Sequence, residues 1–453
     1  MNIANLWSKL TNGSVNRQIL GAAATVAAGT VFVKAMAVVK ELVVAWQFGT
    51  GDALDAFLVA YIVPSFIINV ISGALAAAFI PTYIKVREQQ GKEASLNLFS
   101  GVMIWTSGLL LLIVAAMLLT SPIYLPKIAA GFDANKLKLT LHLFLIMAPL
   151  VIINGIGVIW GAVLNAGERF ALVALLPIIT PAITIFLLLF GKSLGIDVLA
   201  IGLVVGATIE SAVLGIALVR KGILRWPEWH GFDANQNQVI SQYAPMMAGA
   251  LLMCSTSIVD QSMATMLPAG SVSALNYSNR IISLPILIIS TALGTAVIPY
   301  FSKLLAQEDW ISTRQTLKHY LKIVFAVSIP LTALIIIFSE PLVRILLERG
   351  SFQASDTKLV SQIQSCFALQ IPFYIGCSLV VRLIAAMRSN HLMMWGSAFN
   401  LAINISMNYL LMQWMGIAGI ALSTSIVYCF SFLFLWFFAN KLLNKSINQE
   451  LKI

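Results

Sequence analysis

The sequence predicts an all-α polytopic membrane protein with about twelve transmembrane helices. The helices are expected to form two parallel six-helix repeats, an N-lobe and a C-lobe, around a central cavity. Three observations predict this fold. The chain is highly apolar and has long uncharged runs, its Lys and Arg residues collect in alternate loops, and one segment recurs 218 residues later.

Composition excludes a soluble protein. Of 453 residues, 59% are hydrophobic and 10% are charged, whereas soluble domains carry about 25% charged residues. Residues 94–126 and 389–440 contain no Lys, Arg, Asp or Glu. A transmembrane helix needs roughly 20 apolar residues, so the second run holds two spans and a turn near Met415 and Gly416. Backbone amides in lipid must be satisfied within the chain, which makes these runs helical.

Twelve spans follow from the apolar runs. No connection between them exceeds about twenty residues, so there is no room for an outer catalytic domain of the kind that a glycan polymerase or ligase needs. We therefore expect a transporter and no enzyme. The predicted spans are 19–46, 55–84, 97–120, 139–165, 170–190, 198–219, 239–265, 272–300, 320–339, 359–387, 392–412 and 417–440.

The distribution of Lys and Arg gives the orientation. Seventeen of them fall in the termini and the even-numbered connections, seven in the odd-numbered connections and four within spans. Basic residues concentrate in cytoplasmic loops, so both termini are expected on the cytoplasmic side. The same rule accounts for the net charge of +10, and no nucleic-acid partner is expected.

An internal repeat relates the two halves. Residues 68–85 read INVISGALAAAFIPTYIK and residues 286–303 read ILIISTALGTAVIPYFSK, with nine of eighteen positions identical. The offset maps the second span onto the eighth, and a six-span shift keeps both halves in the same orientation. Parallel repeats of this kind occur in secondary transporters. The predicted domains are an N-terminal lobe (1–222), a cytoplasmic linker (223–238) and a C-terminal lobe (239–453).

Several charges lie within the spans. Lys34, Lys40 and Glu41 fall in the first span and Arg280 in the eighth. Each charge at the bilayer centre costs about 3 kcal/mol, so these side chains are expected to face a cavity. Lys34 and Glu41 are seven residues apart on one helix face, and a structural ion pair or snorkelling to the interface is the alternative interpretation.

Cations from both halves favour an anionic substrate. Arg holds a phosphate through a two-pronged hydrogen-bonded fork, and Lys acts as a point charge. A diphosphate carried on a lipid would match such a cavity. Glu210 and Arg382 are further charges, in the sixth and tenth spans.

A polar ladder predicts a second site. Asn404 and Asn408 lie four residues apart in the eleventh span, Thr424 lies in the twelfth, and Asp260 is near the end of the seventh. Oxygen ligands of this kind can hold Na⁺, although such groups more often form interhelical hydrogen bonds. We therefore name Asp260, Asn404, Asn408 and Thr424 as a candidate cation site for Na⁺ or H⁺ coupling. No firm metal site and no cofactor are expected, and no GxxxxGK[ST] phosphate loop is present.

Three segments carry a resemblance to a known family. They read FGTGDALDAFLVAYIVPSFIINVISGALAAAFIPTY (48–83), GSVSALNYSNRIISLP (270–285) and RILLERGSFQASDT (344–357). In order and spacing they resemble the MurJ/MviN flippases of the multidrug/oligosaccharidyl-lipid/polysaccharide exporter superfamily.

The resemblance implies a function and roles for individual residues. It implies alternating-access flipping of undecaprenyl-diphosphate-linked sugars, chiefly the peptidoglycan precursor lipid II, in the bacterial inner membrane. By this resemblance Lys34, Lys40 and Arg280 contact the diphosphate. Lys40 and Glu41 occupy the place of the family's Arg-Asp pair, and Asp55 is the aspartate of its DAF motif. Glu41 and Asp55 are expected to orient these cations or to take part in gating.

Two alternative functions stay open at this point. One is a flippase for another polysaccharide repeat unit, such as an O-antigen or exopolysaccharide unit. The other is a cation-coupled small-molecule exporter, which predicts drug resistance on overexpression. The expected partners are the lipid-linked sugar diphosphate and membrane lipids, and we expect a monomer.

Overall fold

The computed structural model describes residues 15–167, 170–224, 228–229, 231–387, 389 and 391–450. All regular secondary structure in these residues is helical, and the predicted all-α fold is confirmed. Side-chain caps begin some of the helices. For example, the Asp309 carboxylate accepts a hydrogen bond from the Ser312 N–H at 2.9 Å. This backbone hydrogen bond lowers the pKa of Asp309 from its usual value.

The helices of the first half follow one another with short breaks. A π-helical segment, Ile68–Gly73, joins the second and third helices, and 3-10 turns at Leu176–Ile178 and Lys192–Leu194 flank the eighth. The helices are α1 (Val15–Phe48), α2 (Asp52–Ile67), α3 (Ala74–Gln90), α4 (Lys92–Ile128), α5 (Ala134–Met147), α6 (Leu150–Ala166), α7 (Phe170–Leu175), α8 (Ile179–Phe190) and α9 (Asp197–Arg220).

The second half has the same order of elements. Its helices are α10 (Ala234–Ala264), α11 (Ser271–Ala306), α12 (Trp310–Ile337), α13 (Ser339–Leu347), α14 (Ala354–Ala368), α15 (Gln370–Ala386), α16 (His391–Met415) and α17 (Ile417–Glu450). The sequence repeat extends to these elements, because α4 begins at Lys92 and α12 begins 218 residues later at Trp310.

All twelve predicted spans coincide with helices or with consecutive helix pairs. Nine segments within the described residues are long and apolar enough to cross a membrane. The other three predicted spans correspond to α1, α10 and α16, of 34, 31 and 25 residues. These helices exceed the roughly 20 residues that a span needs, but they carry the intramembrane charges and the asparagine ladder. The nine segments are Asp52–Gln90, Lys92–Ile128, Ala134–Ala166, Phe170–Phe190, Asp197–Arg220, Ser271–Thr291, Trp310–Ile337, Ala354–Ala386 and Ile417–Asn448.

The chain forms two compact units. The first comprises the described residues up to Gln47, together with Ala56–Lys127 and Asp133–Leu251. The second comprises Phe48–Asp55, Ile128–Phe132 and the described residues from Leu252 onward. Two short segments of the first half therefore belong to the second unit. The boundaries expected from sequence, at 222 and 239, stay a prediction.

Each unit has its own hydrophobic core. Phe79, Phe99 and Ile159 are buried at the centre of the first. In the second, Phe301, Leu383 and their neighbours form the corresponding core. Burial of one such side chain contributes about 1.5–3 kcal/mol in water. In lipid the close fit of the helices replaces that driving force.

The described part of the predicted linker packs on the first unit. The Ser100 hydroxyl donates to the Glu228 carbonyl at 3.0 Å, and the Glu228 N–H donates back to the same hydroxyl at 2.7 Å. Gln236 is 2% exposed and lies so close to Gly101 that a Cβ there would overlap the Gln236 amide. Residues 225–227 and 230 of the predicted linker lie outside the described residues.

Candidate functional site

Lys40 and Glu41 form an ion pair in α1. The Lys40 Nζ lies 2.8 Å from the Glu41 Oε1, and each side chain is 21% exposed. Lys34 lies on the same helix and is exposed. The structure therefore pairs Glu41 with its neighbour Lys40, whereas the helical spacing suggested Lys34 as the alternative partner. Long side chains on adjacent residues can reach each other even though their Cβ atoms point in different directions.

A polar cavity of about 260 Å³ lies inside the first unit. Its polar and charged lining comes from five membrane helices and includes Lys40 of α1, Tyr61 of α2, Asn154 of α6 and Glu210 of α9. Thr180 of α8 completes this set. The remaining lining residues are apolar, so Lys40 and Glu210 line one cavity among apolar side chains.

Glycine spacing places Glu210 in this cavity. Gly202, Gly206 and Glu210 are four residues apart and lie on one face of α9. A Cβ on Gly206 would lie 2.5 Å from the Thr180 Cα, so the glycine allows α9 and α8 to approach closely. Glu210 Oε1 then accepts hydrogen bonds from the Thr180 N–H at 2.9 Å and from its hydroxyl at 2.6 Å.

The position of the Thr180 N–H in its helix explains this hydrogen bond. It lies in the first turn of α8, where N–H groups have no carbonyl of their own helix to bind. The prediction from sequence recognised Glu210 only as an intramembrane charge and did not place it in the site. The Gly-x-x-x-Gly-x-x-x-Glu pattern on α9 was the signal that could have found it.

Asp55 is buried at the N-terminus of α11. Its side chain is 1% exposed. Oδ2 accepts the Gly270 N–H and Oδ1 accepts the Ser273 N–H, each at 2.8 Å. Ser273 is the repeat counterpart of Asp55 at the offset of 218. A carboxylate at a helix N-terminus satisfies orphan amides and also meets the positive end of the helix dipole.

Further contacts hold residues 48–55 within the second unit. The Tyr277 hydroxyl donates to the Gly49 carbonyl at 3.2 Å, and the Thr50 hydroxyl donates to Asp356 Oδ1 at 2.6 Å. Gly49 has φ +56°, and a Cβ there would overlap the backbone of Ser351. The DAF segment (48–83) and the segment 344–357, which together carried much of the resemblance, thus meet in the structure.

The predicted diphosphate contacts belong to different units. Lys34 and Lys40 belong to the first unit and Arg280 to the second. Arg280 lies on α11 and is exposed. Their convergence on one cavity stays a prediction.

The structure brings Asp260, Asn404, Asn408 and Thr424 together in the second unit. Asp260 Oδ1 accepts the side-chain N–H₂ groups of Asn404 at 2.9 Å and Asn408 at 2.7 Å. Asp260 Oδ2 accepts the Thr424 hydroxyl at 3.3 Å. The two asparagines are 1% and 0% exposed. Residues predicted from helical spacing on three separate helices therefore form one cluster.

Among the described residues, the amide oxygens of this cluster have no hydrogen-bond partner. Asn404 Oδ1 and Asn408 Oδ1 are buried without a hydrogen bond, and so is Asn400 Oδ1 one turn earlier. A buried acceptor left without a partner costs about 1–3 kcal/mol. Amide oxygen and nitrogen can exchange places by rotation, so the same side chains can present oxygens to a cation bound at Asp260. The hydrogen-bonded arrangement is the alternative interpretation of the same cluster.

Two repeated halves of apolar helices, with Asp55 buried and Lys40 and Glu210 lining a cavity, define a polytopic membrane transporter. The chain belongs to the MurJ family, because the family model described as "Lipid II flippase MurJ" matches residues 44–453. The family predicted from the three sequence segments is therefore confirmed, and with it the assignment as a transporter and not an enzyme.

Curated relatives match along nearly the whole chain. A "Probable lipid II flippase MurJ" of Rickettsia prowazekii is 28% identical over 430 residues, covering 94% of this chain and 84% of the relative. The protein of the same description from Thermotoga maritima is 26% identical over 410 residues, covering 90% of this chain and 82% of the relative.

Solved structures agree with the fold. A structure titled "Lipid II flippase MurJ, inward closed conformation" aligns with a TM-score of 0.81 at 22% identity, covering 92% of this chain and 87% of that one. An inward-facing multidrug resistance MATE transporter of the MOP superfamily aligns with a TM-score of 0.80 at 14% identity, covering 90% and 95%. At these identities the likeness concerns the fold alone.

Proposed function

We propose that this protein translocates an undecaprenyl-diphosphate-linked sugar precursor, of the lipid II type used in peptidoglycan synthesis, across the bacterial inner membrane by alternating access. The family match over residues 44–453 carries this proposal, since the curated relatives are described as lipid II flippases. The termini lie in the cytoplasm, as the Lys and Arg distribution favours. The protein works as a monomer surrounded by membrane lipids.

The diphosphate is held by Lys34, Lys40 and Arg280. Lys40 is paired with the Glu41 carboxylate at 2.8 Å. Arg280 offers the planar guanidinium that binds phosphate oxygens in pairs. When the diphosphate arrives, Lys40 exchanges part of its interaction with Glu41 for the phosphate oxygens, so little net charge is buried alone.

Asp55 acts in gating. Its two hydrogen bonds to the N-terminus of α11 attach residues 48–55 to the second unit. These residues include the last residue of α1 and the first turn of α2, and the remaining described residues of both helices belong to the first unit. A change in access that moves α1 and α2 must therefore strain or release this attachment.

The Asp260 cluster couples transport to Na⁺ or H⁺. Sodium would be bound by the Asp260 carboxylate, the rotated amide oxygens of Asn404 and Asn408, and the Thr424 hydroxyl. A proton would instead reside on Asp260, which could then donate to one amide oxygen. Transport that depends on Na⁺ at constant pH supports the first ion, and transport that follows pH without Na⁺ supports the second.

The test of the proposed function uses purified protein in vesicles containing fluorescently labelled lipid II. Wild type is expected to expose the label to an external quencher, and Arg280→Ala is expected to lose this activity without losing expression. Arg349→Ala is the matched control, because Arg349 is exposed and donates to the Ile345 carbonyl of the preceding helical turn. Normal flipping by Arg280→Ala would contradict the assigned role of this cation.

A further inference from the structure

We propose that the cavity of the first unit contains a proton-binding site at Glu210, and that the proton on this carboxylate controls the availability of Lys40 to an anion. The ligand is a proton taken from water. The first half of the proposal concerns the cavity alone, and the second half rests on the proposed role of Lys40 in binding the diphosphate.

The hydrogen bonds of Glu210 leave one oxygen for a proton. The Thr180 N–H and hydroxyl both donate to Oε1, and among the described residues Glu210 has no ion-pair partner. Oε2 has no hydrogen bond to the described residues, and Glu210 lines the cavity together with Asn154 and Lys40. The close contact of Gly206 with Thr180 fixes the distance between α9 and α8, which holds the carboxylate at this place.

The charges around the cavity favour a proton over other ligands. Lys40 is paired with Glu41 at 2.8 Å, and an ionised Glu210 places a further negative charge in a membrane interior, where an uncompensated charge is costly. A metal cation would have to bind beside the Lys40 ammonium. An anion would have to bind beside the Glu210 carboxylate. Protonation removes the excess negative charge without bringing any new ion into the cavity.

Other titratable groups near α9 are few. Tyr61 of α2 lines the same cavity, while α6 and α8, which pack on α9, contain no titratable side chain. On α5, His142 lies 3.1 Å from Asp197. Asp197 is thirteen residues from Glu210, about 20 Å along the helix at 1.5 Å per residue. α5 also packs on α9 and carries Lys136 and Lys138 near its N-terminus. Among the described charged side chains, Lys40 is the one that lines the cavity with Glu210.

The proton and the anion are linked through Lys40. Ionised Glu210 attracts the Lys40 ammonium across the cavity and competes with an incoming diphosphate. Protonated Glu210 is neutral and no longer attracts the Lys40 ammonium, which can then interact with Glu41 and the anion. Linkage requires that the anion strengthens proton binding by the same factor, and such coupling is typically about 5–150-fold.

The proton site is tested by infrared difference spectroscopy of the whole protein in lipid, titrated with pH in the absence of substrate. Wild type is expected to show the C=O stretch of a protonated carboxylic acid, which disappears as the pH rises and is missing in Glu210→Gln. The control Glu340→Gln, which removes an exposed acid paired with Arg344, is expected to keep the band. Because Asp260 is the other acid to which a proton is assigned, the comparison is repeated in an Asp260→Asn background, and a band that persists there in Glu210→Gln would overturn the assignment.

A second variant tests the proton site while keeping the acid, so that its result does not depend on whether Glu210→Gln changes the fold. Thr180→Val keeps the acid but removes the hydroxyl that donates to it at 2.6 Å. Since that hydrogen bond favours the ionised form, the acid band of Thr180→Val is expected to persist to higher pH than in wild type. A band that titrates at the same pH in both proteins would contradict the placement of the proton.

The link to Lys40 is tested by binding undecaprenyl diphosphate across the same pH range. Wild type is expected to bind it about 5–150-fold more tightly when Glu210 is protonated, and Glu210→Gln to bind tightly at every pH. Equal pH dependence in the two proteins would overturn the link. The infrared titration needs no lipid substrate, so a failure of the proposed transport function leaves its result unaffected.

Discussion

Replacing Asp55 isolates the contribution of one buried carboxylate to the second unit. Asp55→Ala leaves the N–H groups of Gly270 and Ser273 without acceptors in a site that is 1% exposed. Each buried donor without a partner costs about 1–3 kcal/mol, so Asp55→Ala is expected to lower the free energy of unfolding by about 2–6 kcal/mol. Asp55→Asn keeps one acceptor oxygen and is expected to cost about half as much.

Thermal unfolding in detergent with a thiol-reactive dye measures this effect. Among the described residues the free cysteines are Cys254, Cys366, Cys377 and Cys429, all in the second unit, so the dye reports unfolding of the part that Asp55 supports. Ser273→Ala is the control, since it removes only a hydroxyl that donates to the Gly270 carbonyl and keeps both amides bonded. Unfolding of Asp55→Ala at the wild-type temperature would refute the reasoning.

Three further changes test other parts of the structure. Gly206→Ala places a Cβ 2.5 Å from the Thr180 Cα and is expected to destabilise the protein by about 1–3 kcal/mol. Gly108→Ala, whose Cβ meets open space, is the control in the same melting assay. Equal effects of the two substitutions would contradict the close helix packing. Asp260→Asn removes the only acid of the cluster and is expected to abolish any dependence of melting temperature on Na⁺; a retained dependence would exclude this cluster as its source. Asn408→Asp places a second carboxylate where the amide lies 2.7 Å from Asp260. Its melting temperature is expected to fall without Na⁺ and to rise more than that of wild type when Na⁺ is added. A melting temperature that responds to Na⁺ as in wild type would contradict a cation site.

The sequence predicted the helices well because the membrane imposes a simple rule on them. Long uncharged runs must be helical in lipid, and a single repeated segment around Pro81 and Pro299 was enough to relate the halves. The Asp260 cluster was also predictable, since the four-residue spacing of Asn404 and Asn408 puts both amides on one helix face.

The remaining features depend on how closely particular backbones approach. Glu210 reaches Thr180 because Gly206 has no side chain, and a sequence alone does not say which helix packs against that glycine. The partners of Asp55 are backbone N–H groups, and the residue types do not indicate which backbone groups these are. Whether Glu41 pairs with Lys40 or with Lys34 depends on the reach of the side chains, and the sequence spacing alone did not decide between the two partners.

The most direct test of the central claim is a flipping measurement with purified protein in vesicles. Labelled lipid II is compared with an O-antigen-type lipid-linked oligosaccharide of the same polyprenyl diphosphate, and with a small cationic drug. The proposed function predicts that lipid II crosses the membrane and that neither of the other two does so at a comparable rate. Transport of the drug or the other oligosaccharide, with lipid II retained on its original side, would contradict it.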